Sequence, residues 1–307
     1  MTSPDRHVVI GAEPGPVLEV DPLGAAVVRL EVTCGDGVRR DVVLSGPAVS
    51  GDFLGATIGR FANRISGGAV VVDGQEHRLA TNEGTTTLHG GPEGFDTRPW
   101  DVVEADGSSA RLRLTSPDGD QGFPGRLVAE AAYDVSPDGF RLTLTATTDA
   151  PTVVSLTHHG YAVLDDSGSV DDHVLTVPAD LVLPVDDAGI PTGDPVPVAA
   201  GLDLRSGLRL GDVGPLDRAF VVTGEGLRPV ARLVSPATQT TLTVRSDQPA
   251  LQVYTGEWLQ SRPPRSGVAL EPQLLPDSPR HEGRPGWPSA VLRPGETYRH
   301  VLEWRFS

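Results

Sequence analysis

Apolar and polar residues alternate with a period of two along most of this chain, and no other feature constrains its fold as strongly. The pattern is carried by AAVVRLEVTC (25–34), RRDVVLSG (39–46), GAVVVDGQEHRLA (68–80), ARLRLTSP (110–117) and RLVAEAAYDV (126–135). It continues in FRLTLTATT (140–148), HVLTVPADLVLPV (173–185), TLTVRSD (241–247), LQVYTGEW (251–258) and YRHVLEWRF (298–306). Residues two apart share one face of a strand, so each run offers one face to a core. The connections carry turn chemistry. VDGQ (72–75) and SPDGF (136–140) suit tight hairpins, and the 36 Gly and 28 Pro are spread along the whole chain. No helical stripe runs longer than about two turns. Strands in this number must pack face to face or close on themselves. The expected fold is therefore all-β, one large antiparallel β-sandwich with few short helices, as one domain over residues 1–307.

Charge narrows the partners. The formal net charge is −16, from 25 Lys plus Arg against 41 Asp plus Glu, so nucleic acid and anionic membranes are repelled. The acidic residues are dispersed, which describes a solubilising surface and favours a neutral substrate over a phosphorylated one. The N-terminal MTSPDRHVVIGAEPG has no apolar core segment, and no run of about 18 apolar residues occurs. Cys34 is the one cysteine, so no intramolecular disulfide can form. The expected location is cytoplasmic. There is no GxGxxG or GxxxxGK[ST] between a strand and a helix, no CxxC or HExxH, and no GxSxG. Nucleotide, metal and serine-nucleophile sites thus lack support.

The eight histidines are more informative. SLTHHGYAV (155–163) places two of them side by side in a strand-like run, on opposite faces, so the pair cannot grip one metal ion and at most one faces a pocket. His89 lies in TTTLHGGPEGF, where glycines permit close approach of a ligand to the backbone. For His89 and His159 the competing reading is a hydrogen-bonded structural histidine. His77, His173, His281 and His300 sit among polar residues and are expected at the surface. Glu271, in SGVALEPQLLPDSP, ends an apolar run where partial burial would tune a carboxylate into a general base. Asp217 precedes an apolar strand in GPLDRAFVV; for both acids the alternative is a solvated strand end. Arg64 in GATIGRFANRISGG could fork onto hydroxyls or a carboxylate, and a structural ion pair is the alternative; Arg60 is expected to serve packing or an ion pair.

Ten segments, in order, resemble the aldose 1-epimerases, the family typified by galactose mutarotase. They are GATIGRFANRISGG, LHGGPEGFDTRPWDV, SPDGDQGFPG, LTHHGYAVLDD, LPVDDAGIPTGDPVPV, LDLR, PLDRAFVV, LQVYTGEWL, LEPQLLPDSP and LRPGETYRH, between residues 55 and 300. The resemblance implies that Glu271 in LEPQ is the general base, His159 the general acid and His89 a further catalytic histidine. It implies that Asn63, Arg64, Asp217 and Gln252 bind substrate. It also favours His159 over His158 as the histidine that does chemistry. The sequence departs from the family pattern at His158, Val163, Arg218, Ala219 and Pro272, all at or beside the implied site.

The implied reaction is interconversion of the α and β anomers of a free aldose such as glucose or galactose. Glu271 removes the O1 proton, His159 protonates the ring oxygen O5, C1–O5 breaks, and the aldehyde rotates and recloses. This chemistry requires no metal and no organic cofactor. The expected partner is a monosaccharide, with the chain a monomer or weak homodimer. Two other classes compete. Asp217 and Glu271 could form the carboxylate pair of a glycoside hydrolase, or the fold could serve as a non-catalytic sugar-binding module.

Overall fold

A computed structural model describes residues 7–46 and 51–307. The first six residues of the N-terminal stretch read above lie outside it. The alternating runs form antiparallel sheets. The largest has nine strands in the order Asp101–Ala105, Ser109–Ser116, Leu127–Ser136, Gly139–Thr148, Tyr298–Phe306, Thr240–Ser246, Arg228–Ser235, Val174–Thr176 and Leu208–Arg209. A six-stranded sheet runs Tyr161–Ala162, Val268–Gln273, Ala250–Tyr254, Asp217–Val222, Ala179–Val182 and Val196–Pro197. A four-stranded meander, Val8–Gly11, Val17–Asp21, Ala26–Thr33 and Arg39–Asp41, joins them. Among the described residues the one α-helix is the four-residue Leu210–Val213.

One apolar cluster draws on all three sheets. It contains Ile10 and Leu18 of the meander, Leu112, Leu142 and Trp304 of the large sheet, and Phe220, Leu251 and Leu270 of the six-stranded sheet. The layers therefore share a core, as a sandwich requires. The hairpins fall where the turn residues place them. Val72 pairs with Gln75, with Asp73 and Gly74 both at positive φ, and Ser136 pairs with Gly139.

Two readings are corrected. His173 and His300 are fully buried, not at the surface: His173 accepts from the Leu164 backbone N–H, and His300 bonds to Ser246 and to the Leu156 carbonyl. His300 faces inward from a strand whose alternate residues face out, and His173 ends a turn just before one, so polar sequence neighbours report little about either. The 155–163 run is also two short strands rather than one. His159 N–H donates to Ala56 O, while Tyr161 pairs with Ala269, and Gly160 is the crossover between those partners. A Cβ there would lie 2.4 Å from His158 Nε2 and 3.0 Å from Trp304, so only glycine fits.

Candidate active site

Cross-strand register builds the floor of the site. Asp217 pairs with Tyr254, which pairs with Ala269, which pairs with Tyr161. Two residues along, Ala219 pairs with Gln252 and Gln252 with Glu271. Residues two apart share a face, so Asp217, Gln252 and Glu271 emerge together. Extending the Tyr161–Ala269 register by two residues sets His159 beside Glu271. The two groups meet there, with His159 Nε2 3.5 Å from Glu271 Oε1, and both residues are buried. Pro272 lies in this inner strand beyond Val268 and Ala269, the two residues that pair with Tyr161–Ala162. Thr157 Oγ1 donates to the Pro272 carbonyl at 2.7 Å.

A second wall comes from the two-residue ladder of Arg64–Ile65 with Thr87–Leu88. Just beyond it, His89 N–H donates to Asn63 O and Asn63 N–H donates to His89 Nδ1, both at 3.1 Å. With Nδ1 accepting, neutral His89 carries its proton on Nε2. Its ring stands 5.2 Å from that of His159, and Phe53 packs against both at 4.6 and 5.6 Å. The glycines after His89 serve the backbone rather than a ligand: a Cβ on Gly90 would lie 2.0 Å from Gly59 O.

The seven residues implied by the resemblance all line one cleft of about 630 Å³, a volume in the range of small-molecule sites. Their hydrogen bonding divides them. Arg64 grips Glu83 with Nε and Nη2 at 2.7 and 2.9 Å, and its Nη1 is 3.7 Å from Asp217 Oδ2. Gln252 Nε2 donates to Asp217 Oδ1, while Asn63 Oδ1 accepts from the Arg64 backbone N–H. Three buried atoms at the floor have no protein partner: Glu271 Oε2, His159 Nδ1 and Gln252 Oε1. A buried polar atom left unpaired costs about 1–3 kcal/mol, a cost that a hydroxylated ligand reaching these atoms would recover. Arg60 is elsewhere, buried and donating to Ser116, Pro117 and Pro124 carbonyl oxygens. His158 packs against Phe140 and Trp304 on the opposite face of its strand.

Burial sets the protonation. It pushes the Glu271 carboxyl well above its ordinary range, with Asp217 adding to the rise and Arg64 opposing it. It lowers the His159 imidazole to about 4 and holds His89 well below 6.5, helped by His159 and Arg64. His89, His159 and Glu271 each bring one candidate ligand atom within 4.8 Å of the others. They do not suit a metal ion, because His89 Nδ1 already accepts from Asn63 and Nε2 then bears the proton.

Sequence reasoning missed Glu83, Phe53, Tyr161, Tyr254 and Trp258, which line the same cleft. Tyr161 and Tyr254 were reachable from the period-two rule once His159 and Gln252 were placed. Glu83 and Phe53 lie in loops with no pattern to mark them.

A carboxylate and an imidazole buried side by side, under a ring of hydroxyl-binding groups, define an acid–base enzyme for a small sugar-like molecule on a β-sandwich. The chain belongs to the aldose 1-epimerase family, whose model matches residues 7–305. It is 36% identical to the aldose 1-epimerase of Escherichia coli (strain K12), over 99% of this chain and 95% of that protein. It is 35% identical to human galactose mutarotase, over 95% and 92%. Among solved structures, a GalM/aldose epimerase homologue from C. elegans superposes with a TM-score of 0.91 at 28% identity, covering 98% of each chain. The protein is an isomerase of the mutarotase type.

Proposed function

We propose that Glu271 and His159 carry out the ring opening on a free, uncharged aldopyranose. The supporting observation is their buried 3.5 Å contact. Because burial raises one group and lowers the other, the pair holds a single exchangeable proton over a wide pH range. The reactive arrangement has Glu271 ionised and His159 protonated. Glu271 takes the O1 proton as His159 gives its proton to O5 and C1–O5 breaks, which leaves both groups neutral beside the open-chain aldehyde. Burial favours that neutral pair. Rotation about C1–C2 and the reverse transfers close the other anomer. His89 Nε2–H donates on the ring-oxygen side even as a neutral imidazole, Gln252 Oε1 accepts from a hydroxyl, and Asp217, Arg64 and Asn63 orient the remainder.

Six carboxylates and two guanidiniums line the cleft, an excess that disfavours anionic sugars. Arg218 faces it too, its Nη1 bonded to the Asp217 carbonyl. The chain acts on the sugar alone, in the cytoplasm, with nucleic acid and membranes excluded by its charge. Polarimetry on freshly dissolved α-D-glucose and α-D-galactose tests the reaction, and accelerated rotation with no reducing sugar released from a glycoside is expected. Comparing kcat/KM for glucose, glucose 6-phosphate and glucuronate tests the charge reading. A tenfold advantage for either anion, about 1.4 kcal/mol of transition-state binding, would overturn it.

A further inference from the structure

Gln273 closes the inner strand that carries Glu271, two residues further on. The strand pairs with Ala250–Tyr254 without a bulge, so Glu271 and Gln273 project from one face, opposite Gln252 and Ala250. Gln273 is fully buried, and neither its Nε2 nor its Oε1 has a hydrogen-bond partner. Adjoining groups are apolar or already bonded. Ala250 offers only a methyl group, Thr157 Oγ1 donates to the Pro272 carbonyl, and Ser155 Oγ accepts from the Leu274 backbone N–H at 3.4 Å.

An amide shut away from water with both ends unpaired is unfavourable, and an apolar side chain of similar size relieves the cost. Packing therefore does not account for glutamine at this position. Nor does contact with the sugar, because Gln273 does not line the cleft. Glu271 Oε2, on the same face, is also buried and unpaired. Two residues along a strand span about 6.6 Å, a gap that side chains of this length close directly or through one water. Gln252 Oε1 lies diagonally across and is unpaired too, but an ionised carboxylate accepts the stronger bond.

We propose that Gln273 is a positioning residue for the ring opening, its amide N–H supporting Glu271 Oε2 in the ionised state that takes the anomeric proton. The role rests on the ring-opening reading above and deepens it. Glu271 is faced by His159, His89, Tyr161, Asp217 and Arg64. Burial opposes its charge most, Asp217 adds to that, and Arg64 favours the charge. A donor at Oε2 favours the carboxylate over the neutral acid and fixes the plane of the group, with Oε1 toward His159.

The test replaces Gln273 by Met, which keeps the length and removes both polar ends. By polarimetry on α-D-glucose, kcat is expected to fall about tenfold while KM changes less than twofold. The melting temperature should equal or exceed that of the wild type, because two unpaired buried groups are gone. The base-side limb of the kcat/KM profile should move to higher pH, since losing a donor to the carboxylate raises its pKa. In a Glu271→Gln background the same change should alter the residual rate less than twofold, because no charge is left to support. Gln273→Leu repeats the comparison if the Met variant does not fold, and loss of the fold in both would overturn the role. Unchanged kcat, an unmoved limb, a loss carried by KM, or equal losses in the two backgrounds would also overturn it. Near wild-type turnover in Glu271→Gln alone would sink the ring-opening reading instead.

Discussion

Burial decides the protonation of both adjacent histidines, but only His159 has a carboxyl beside it. His158 is held to about 3 by desolvation and neither ring nitrogen has a hydrogen-bond partner, while His159, lowered to about 4, has its Nε2 3.5 Å from the Glu271 carboxyl. A depressed imidazole takes up its extra proton only at low pH, so the pair becomes doubly protonated through about pH 4 and loses its last proton well above the usual carboxylate range. The expected kcat/KM profile is level from about pH 5 to neutrality and falls on the acid side near 4, with the pair titrating as one unit. An acid limb centred near 6.5, the ordinary imidazole value, would contradict it. Alanine substitutions separate the neighbours. His159→Ala should lower kcat by about 10² to 10⁴. His158→Ala should instead cost about 1–3 kcal/mol of stability, as a core truncation does, and leave most of the turnover. Turnover lost at 158 and kept at 159 would reverse the assignment.

Each strand's environment is set by its neighbours, and this is where the sequence was only partly readable. The period-two runs revealed the sandwich because surface strands must alternate. The Val268–Gln273 strand is buried at every position, so its pattern could not show which face Glu271 takes; register with Tyr161, Gln252 and Asp217 does. The seven residues that the resemblance implies are ones the fold brings into one cleft, whereas Glu83 and Phe53 reach it along loop paths that no local pattern encodes. His173 and His300 were misread for a similar reason, since burial in a sheet depends on what lies across it. Register also explains a charge cluster away from the site. Glu303 lies opposite Arg141 on one side and Arg245 on the other, with Arg305 two residues along, and its carboxylate contacts all three. Their guanidiniums, through Arg305 and Arg141, hold it below the usual range against the opposing effect of burial. A lowered carboxyl adds stability above its unfolded value near 4.3 and loses it as pH falls through the folded value. Glu303→Gln should therefore cost about 1–2 kcal/mol at pH 7 and little at pH 3, read from urea midpoints. An equal cost at both pH values would mean that packing, not charge, is lost.

At the scale of the whole molecule, one apolar cluster runs from Ile10 to Trp304 and takes side chains from all three sheets. A core shared in this way predicts that the chain unfolds as one cooperative domain. Far-UV circular dichroism and tryptophan fluorescence should give coincident transitions, and two separated midpoints would mean that the meander or the six-stranded sheet unfolds alone. The sandwich also buries Glu271 and His159 at the floor of an open cleft, the setting that the proposed chemistry needs. The proposed ring opening depends on Glu271 as the group that takes the anomeric proton. Its amide replacement keeps the shape and cannot accept that proton. The most direct test is the rate of mutarotation of α-D-glucose by polarimetry, wild type against Glu271→Gln, with sugar binding followed in parallel by saturation-transfer NMR. A loss of about 10² or more in kcat with binding retained is expected; near wild-type turnover in the folded Gln variant would remove Glu271 from that role.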